Sequence, residues 1–181
     1  QFDAFRTVGL FNLLDTKNSN AYVAASLNTF NGPFDSPQNF NRFNMMAKYN
    51  LKLPDNQKLQ LTASHFQSKW DASGQIPQRA IDDGSIGRFG AIDDTEGGNT
   101  SRTNLLINHS KLLSENKKLE TRAYYSHYDF ELLSNFTFFL KDPVNGDQIA
   151  QREDRNILGF QTEFSDKINS ETLDFKYTAG I

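Results

Sequence analysis

From Phe40 to Leu53 the chain alternates without a break. Phe43, Met45, Ala47, Tyr49, Leu51 and Leu53 occupy one parity, and Arg42, Asn44, Met46, Lys48, Asn50 and Lys52 the other. A period of two sustained over this length marks a β-strand with two chemically different faces and excludes an amphipathic helix. Pro54-Asp55-Asn56 interrupts the run. Gln57 to Trp70 then resumes it, with Leu59, Leu61 and Ala63 set against Lys58, Gln60, Thr62 and Ser64. Two long alternating runs joined by a few turn-forming residues make a hairpin.

The unit recurs. Phe2 to Leu14 and Asn20 to Phe30 flank residues 15–19, Arg102 to Leu113 and Lys117 to Glu131 flank 114–116, and Arg155 to Ser165 and Glu171 to Ile181 flank 166–170. The composition agrees with an all-β reading of eight strands: 16 Phe and 6 Tyr favour strands, while the abundant Asn and the 11 Gly and 5 Pro fall mostly between the periodic segments. The first strand is the least regular, because Arg6 and Asn12 share a parity with Val8 and Leu10.

The connections say more than the strands. Short turns alternate strictly with long polar segments at 31–39, 71–101 and 132–154. In an up-and-down meander every second connection emerges at the same end, so one rim carries tight turns and the other carries long loops. That asymmetry, and strands near or above the roughly 9–11 residues that cross a bilayer at a tilt, fit an outer-membrane barrel. Lys48, Lys52, Lys58, Lys118, Glu120, Arg122, Glu163, Asp174 and Lys176 would then share one face, lining wet space, with the Leu, Phe and Tyr parity meeting lipid. In a soluble all-β binding module, carbohydrate-binding or lipocalin-like, the same two faces would be solvent and core. Periodicity alone does not separate these readings.

Charge and residue usage narrow the field. The 19 Lys+Arg against 22 Asp+Glu leave a net charge of −3, which argues against a nucleic-acid partner. Without cysteine there is no disulfide framework and no thiolate chemistry. No apolar run is long enough for a transmembrane helix, a criterion that does not touch β-barrels. A chain starting at Gln1 without a leader reads as processed, or as a piece of something longer.

The longest loop contains Ser73-Gly74-Gln75-Ile76-Pro77-Gln78-Arg79-Ala80, then Ile86-Gly87-Arg88-Phe89-Gly90, Ile92-Asp93 and Thr95-Glu96-Gly97-Gly98-Asn99-Thr100-Ser101-Arg102. This series closely resembles an external loop of TonB-dependent outer-membrane receptors. The segments 139–147 and 35–40 look similar, so the resemblance covers most of the chain in order and loop placement. It implies a large barrel of about 22 strands, closed by an N-terminal plug, that imports a scarce solute (siderophore, haem, cobalamin or glycan) with energy delivered by TonB. The implied setting is the outer membrane of a Gram-negative bacterium, with the bilayer and the rest of the barrel and plug as partners. The sequence departs from the family by showing no plug domain, no TonB-contacting box and no recognisable terminal strand. Residues 1–181 are accordingly expected to be barrel wall and loops, reaching TonB only through an N-terminal part not present here. A self-closed eight-stranded porin-like barrel is the rival arrangement.

Candidate sites are sparse. No enzyme, cofactor or metal centre is expected. His65, His109 and His127 fall in separate strands. Asp82-Asp83 and Asp93-Asp94-Thr95-Glu96 lack the regular ladder of a calcium loop. Gly84-Ser85-Ile86-Gly87 and Gly97-Gly98 lack the context of a phosphate cradle. Asn99, Asn108 and Asn135 match the N-x-Ser/Thr pattern by virtue of abundant Asn. Trp70, Arg79, Arg88, Phe89 and Arg102 are the ligand-contact candidates: Trp70 ends a strand where an interfacial aromatic belt would sit, and the arginines lie where an anionic ligand would first arrive.

Overall fold

The computed structural model describes residues 2–136, 140–144, 146–169 and 174–181. The strands are β1 (Phe5–Asp15), β2 (Ser19–Phe30), β3 (Phe40–Leu53), β4 (Gln57–Asp71), β5 (Gly97–Leu112), β6 (Lys117–Ser134), β7 (Ile149–Asn169) and β8 (Asp174–Gly180). A five-residue helix, α1 (Gln78–Asp82), interrupts the longest loop. Each strand pairs antiparallel with the next, and sheet order equals chain order across one open eight-stranded sheet. Among the described residues, β1 and β8 do not meet. The sheet is therefore not closed on itself.

Strand limits differ from the expected ones chiefly on the loop side. β5 begins at Gly97 rather than Arg102, and β7 runs from Ile149 to Asn169 rather than from Arg155 to Ser165. Polar residues hid these extensions, because pairing with a long neighbour continues past the point where apolar alternation stops. The start of the expected last strand, residues 171–173, lies outside the described residues.

Local chemistry makes the hairpins. Asp55 and Asn56 both take φ of 56°, the left-handed conformation that these two residue types tolerate better than others. In the β1–β2 turn the Thr16 hydroxyl donates to the Ser19 carbonyl at 3.1 Å and accepts from the Ser19 N–H at 3.0 Å. A bulge at Leu13 lets Leu14 pair with Ala21 after Asn12 pairs with Tyr22. This extra residue restores Leu14 to the face of Phe5 and Phe11, whereas Arg6, Val8, Leu10 and Asn12, all ahead of the bulge, do share the polar face.

The register sorts the side chains. Val23, Ala47, Ala63, Leu105, Tyr125 and Leu158 form one cross-strand row, and Ala21, Tyr49, Leu61, Ile107, Ala123 and Phe160 the next, all on one face. Pairing parity places Lys48, Lys52, Lys58, Lys118, Glu120, Arg122, Glu163, Asp174 and Lys176 together on the other. No second layer covers the apolar face, and Ala80 is the single buried hydrophobic residue among those described. The Leu, Phe and Tyr rows are not folded into a dry interior.

The apolar band crosses the rows at a slant. On β2 and β3 it begins at Leu27 and Phe43, but the residues in the same row on β6 and β7 are Asp129 and Asp154. There the band runs from Tyr125 to Leu119 and from Leu158 to Phe164, and on β8 it spans Phe175 to Ala179. Between the β2–β3 pair and the β6–β7 pair, four strands apart, the band moves four residues toward the hairpin-turn end, one residue per strand. At about 3.3 Å per residue and about 4.8 Å between strands, the slope is roughly 35°.

Candidate functional site

The long connections gather at one end of the sheet and are stitched to one another. The Asp35 N–H donates to the Phe89 carbonyl at 2.9 Å, and the Phe34 and Phe89 rings meet edge to face at 6.5 Å. The Asn135 amide donates to the Asp93 carboxylate at 3.2 Å, and the Gln148 amide to the Thr95 hydroxyl at 2.7 Å. At the base of the loops the Asn39 amide donates to the Asp71 carboxylate at 2.8 Å.

Carboxylates in this region are held ionised by local donors. Partial burial pushes the Asp93 carboxyl up, but hydrogen bonds from the Thr95 side chain and backbone and from Asn135 outweigh it, leaving the group below its ordinary value. Hydrogen bonds from the side chain and backbone of Ser85, with help from the Arg79 charge, lower Asp83 against a slight opposing burial.

Beneath these loops the polar face carries an arginine–aromatic patch. Phe66 on β4 pairs with Arg102 on β5, which pairs with Tyr128 on β6. The Arg102 guanidinium sits 5.4 Å from the Tyr128 ring centroid, and Tyr128 stacks on Phe130 at 6.2 Å and 13°. On β3, Arg42 stands 6.0 Å from the Phe40 ring. Among the described residues neither Arg42 nor Arg102 has a carboxylate partner. A guanidinium resting on a ring keeps its edge N–H groups available for an oxyanion, while the rings offer stacking surface. A ladder of small polar groups lies alongside. The Asn44 amide donates to Ser26 at 3.1 Å, the Asn104 amide to Ser64 at 3.1 Å, and the Ser126 hydroxyl to the Asn104 carbonyl oxygen at 2.8 Å. This array can hold a ring-bearing or hydroxyl-rich anion by non-covalent contacts.

The five sequence candidates separate into two groups. Trp70 and Arg102 share the polar face of adjacent strands; Trp70 pairs with Gly98, and its indole covers that glycine, 2.9 Å from where a Cβ would stand. Trp70 therefore does not belong to the apolar band, which departs from the interfacial-belt expectation. Arg79 sits exposed on α1, and Arg88 is exposed without an ion pair or side-chain hydrogen bond among the described residues. Phe89 is committed to the Phe34 contact. Sequence reasoning missed Arg42, Phe66, Tyr128 and Phe130, although their parity already set them on the face of Lys48 and Arg122. Only the pairing register brings four strands' worth of residues to one spot.

The remaining motifs take structural roles. His65 bonds the Thr103 hydroxyl at 2.9 Å, His109 the Gln57 amide oxygen at 3.0 Å and His127 the Asn156 amide oxygen at 3.1 Å. No three His, Asp or Glu side chains converge among the described residues. No family model matches this sequence, and no curated protein matches it either.

Proposed function

We propose that this chain is a wall segment of a TonB-dependent outer-membrane receptor, one that captures a scarce solute at its external end and passes it through a gated barrel. The observation that carries the reading is the slanted apolar band. A flat hydrocarbon slab crossed by tilted strands requires its greasy girdle to run obliquely across the hydrogen-bonded rows. A slope of roughly 35° lies at the lower edge of the tilt range of closed barrels, roughly 35–45°. The rim asymmetry supports the same orientation, with the stitched loops external and the hairpin turns periplasmic.

In this reading the polar face lines a water-filled lumen, and the Arg42, Arg102, Tyr128 and Phe130 patch lies just inside the external mouth. The free edges of β1 and β8 complete their backbone hydrogen bonds against further strands of a barrel of about 22, since each unpaired group in lipid costs several kcal/mol. Energy coupling rests on the loop resemblance alone. It reaches this segment through a plug and its contact with TonB, both parts of the whole receptor. The piece performs no catalysis and needs no cofactor in this account.

The test is physical state. The chain, purified under denaturing conditions and diluted into detergent micelles, is expected to recover β-rich circular dichroism and to migrate differently on gels before and after boiling. In buffer alone it is expected to aggregate. A monodisperse, folded species without detergent would overturn the reading in favour of a soluble binding module.

A further inference from the structure

Two apolar side chains of β1 stand on the polar face. Val8 and Leu10 are 63% and 64% exposed there, between Arg6 and Asn12. Val8 borders a shallow, open cavity of about 310 Å³, whose largely apolar lining includes Ser26, Asn44, Met46, Ser64 and Phe66. The register accounts for the depression. Val8, Ser26, Asn44, Phe66 and Arg102 follow one another in a single row from β1 to β5, so Ser26 and Asn44 form a low floor between Val8 and Phe66. The next row of this face toward the loops brings in Arg6 and Arg42. Three arginines from alternate strands thus frame the cavity, and none has a carboxylate partner among the described residues.

The polar groups of the floor are already paired with one another. The Asn44 amide donates to Ser26 and the Asn104 amide to Ser64, each at 3.1 Å, and the Ser126 hydroxyl donates to the Asn104 oxygen. A sugar laid here would find few free partners for its hydroxyls. A flat ring would cover Val8, Met46 and Phe66 without breaking any of these bonds. Unpaired guanidinium groups beside such a surface match an anion carried by that ring. We propose that the depression binds a small aromatic carboxylate, its ring between Val8 and Phe66 and its carboxylate shared by Arg42 and Arg102. A cavity of about 310 Å³ lies at the small end of ligand sites and suits one or two fused rings. The assignment names a class of solute, and it rests on the reading of the polar face as the wet passage. The mixed parity of β1 then has a role, since Val8 supplies the ligand's apolar wall.

The probe is 2-naphthoate, titrated calorimetrically into the full chain in whichever medium, micelles or buffer, keeps it folded and monodisperse. One saturable site per chain is expected, with a dissociation constant of about 10⁻⁵–10⁻³ M, whereas partition into micelles does not saturate at one per chain. The neutral 2-naphthalenemethanol and the ring-free anion citrate are each expected to bind about tenfold more weakly or worse, and so is the hydroxyl-rich glucuronate. Arg42→Gln and Arg102→Gln are each expected to weaken naphthoate binding about tenfold. Arg122→Gln, at the turn end of the same face and paired with Glu120, is expected to leave it unchanged. Absence of a saturable site in the folded, unaltered chain overturns the proposal. So do equal affinity for the neutral alcohol, tighter binding of citrate or glucuronate, unchanged affinity in either arginine variant, or an equal loss in Arg122→Gln. If a variant does not fold, the comparison of probes on the unaltered chain decides. The two readings fail separately: naphthoate bound by a chain monodisperse in buffer keeps the aromatic site and removes the membrane, and a micelle-refolded chain without the site does the reverse.

Discussion

Tyr124 lays its ring across Gly159, the residue directly opposite it on the neighbouring strand, so that a Cβ at 159 would stand inside the ring's space. Alanine in place of a strand glycine normally helps, since glycine weakens strand interiors. Here the sign reverses. Gly159→Ala is expected to destabilise by about 1–2 kcal/mol because the aromatic cover must swing away. In a Tyr124→Ala background the same change is expected to cost nothing, a coupling that urea titrations of the four proteins would measure.

Leu158, beside it on the other face, is 79% exposed. For a protein stable in water, Leu158→Arg at so open a position is close to neutral. If that face meets hydrocarbon, the change costs about 2–4 kcal/mol near mid-bilayer, whereas a charge placed on the polar face by Gln161→Glu, directly opposite Arg122, costs nothing. Refolding yields and urea midpoints in phospholipid vesicles separate the two outcomes. Equal effects at both positions would remove the assignment of faces.

The chain's one tryptophan makes a convenient reporter. A Cβ at 98 would run into the Glu131 carbonyl oxygen and stand 2.9 Å from the Trp70 indole, so Gly98→Ala is expected to strain the β5–β6 pairing, lift the ring and shift its emission to longer wavelength as the indole becomes wetter. An unchanged spectrum in a folded Gly98→Ala protein would show that the indole does not lie there.

The loop hub is expected to respond to acid. With Asp93 held below its ordinary value in the folded state, its hydrogen bonds contribute stability that is present above the unfolded value of about 3.9 and is lost as pH falls through the lower folded value. The Thr95 amide, which donates to that carboxylate, reports the midpoint directly in its proton chemical shift. A midpoint at or above the ordinary aspartate value would contradict the geometry, and Asp93→Asn is expected to abolish the titration.

What the sequence disclosed followed the strength of its periodic signal. The two long runs of Phe40–Leu53 and Gln57–Trp70 alternated so cleanly that the fold class, the hairpin and the sharing of a face by Lys48, Lys52 and Lys58 could all be read from them. β1 was harder, because Val8 and Leu10 stand with Arg6 and Asn12 on the polar face, so its alternation is mixed along most of its length. The arginine–aromatic patch was illegible for another reason: Arg42, Phe66, Arg102 and Tyr128 become neighbours only through register, which hairpin geometry sets and composition does not. Trp70 shows the limit most clearly. Its place at a strand end suggested a belt, whereas a count of one residue decides which face it joins.

The bonds that cross between loops have an evolutionary corollary. Asp35 is tied to Phe89, Asp93 to Asn135 and Thr95 to Gln148, so a lengthened segment at any one of these places displaces anchors belonging to the others. Natural variation at that end is expected to arrive as matched sets of changes inherited together. The tight turns at the far end are also tied to their neighbours, the Lys52 N–H to the Asn18 carbonyl at 2.7 Å and the Lys167 N–H to the Asn116 carbonyl at 3.0 Å, but through backbone groups that most residue types supply, so single substitutions there are freer to drift one at a time.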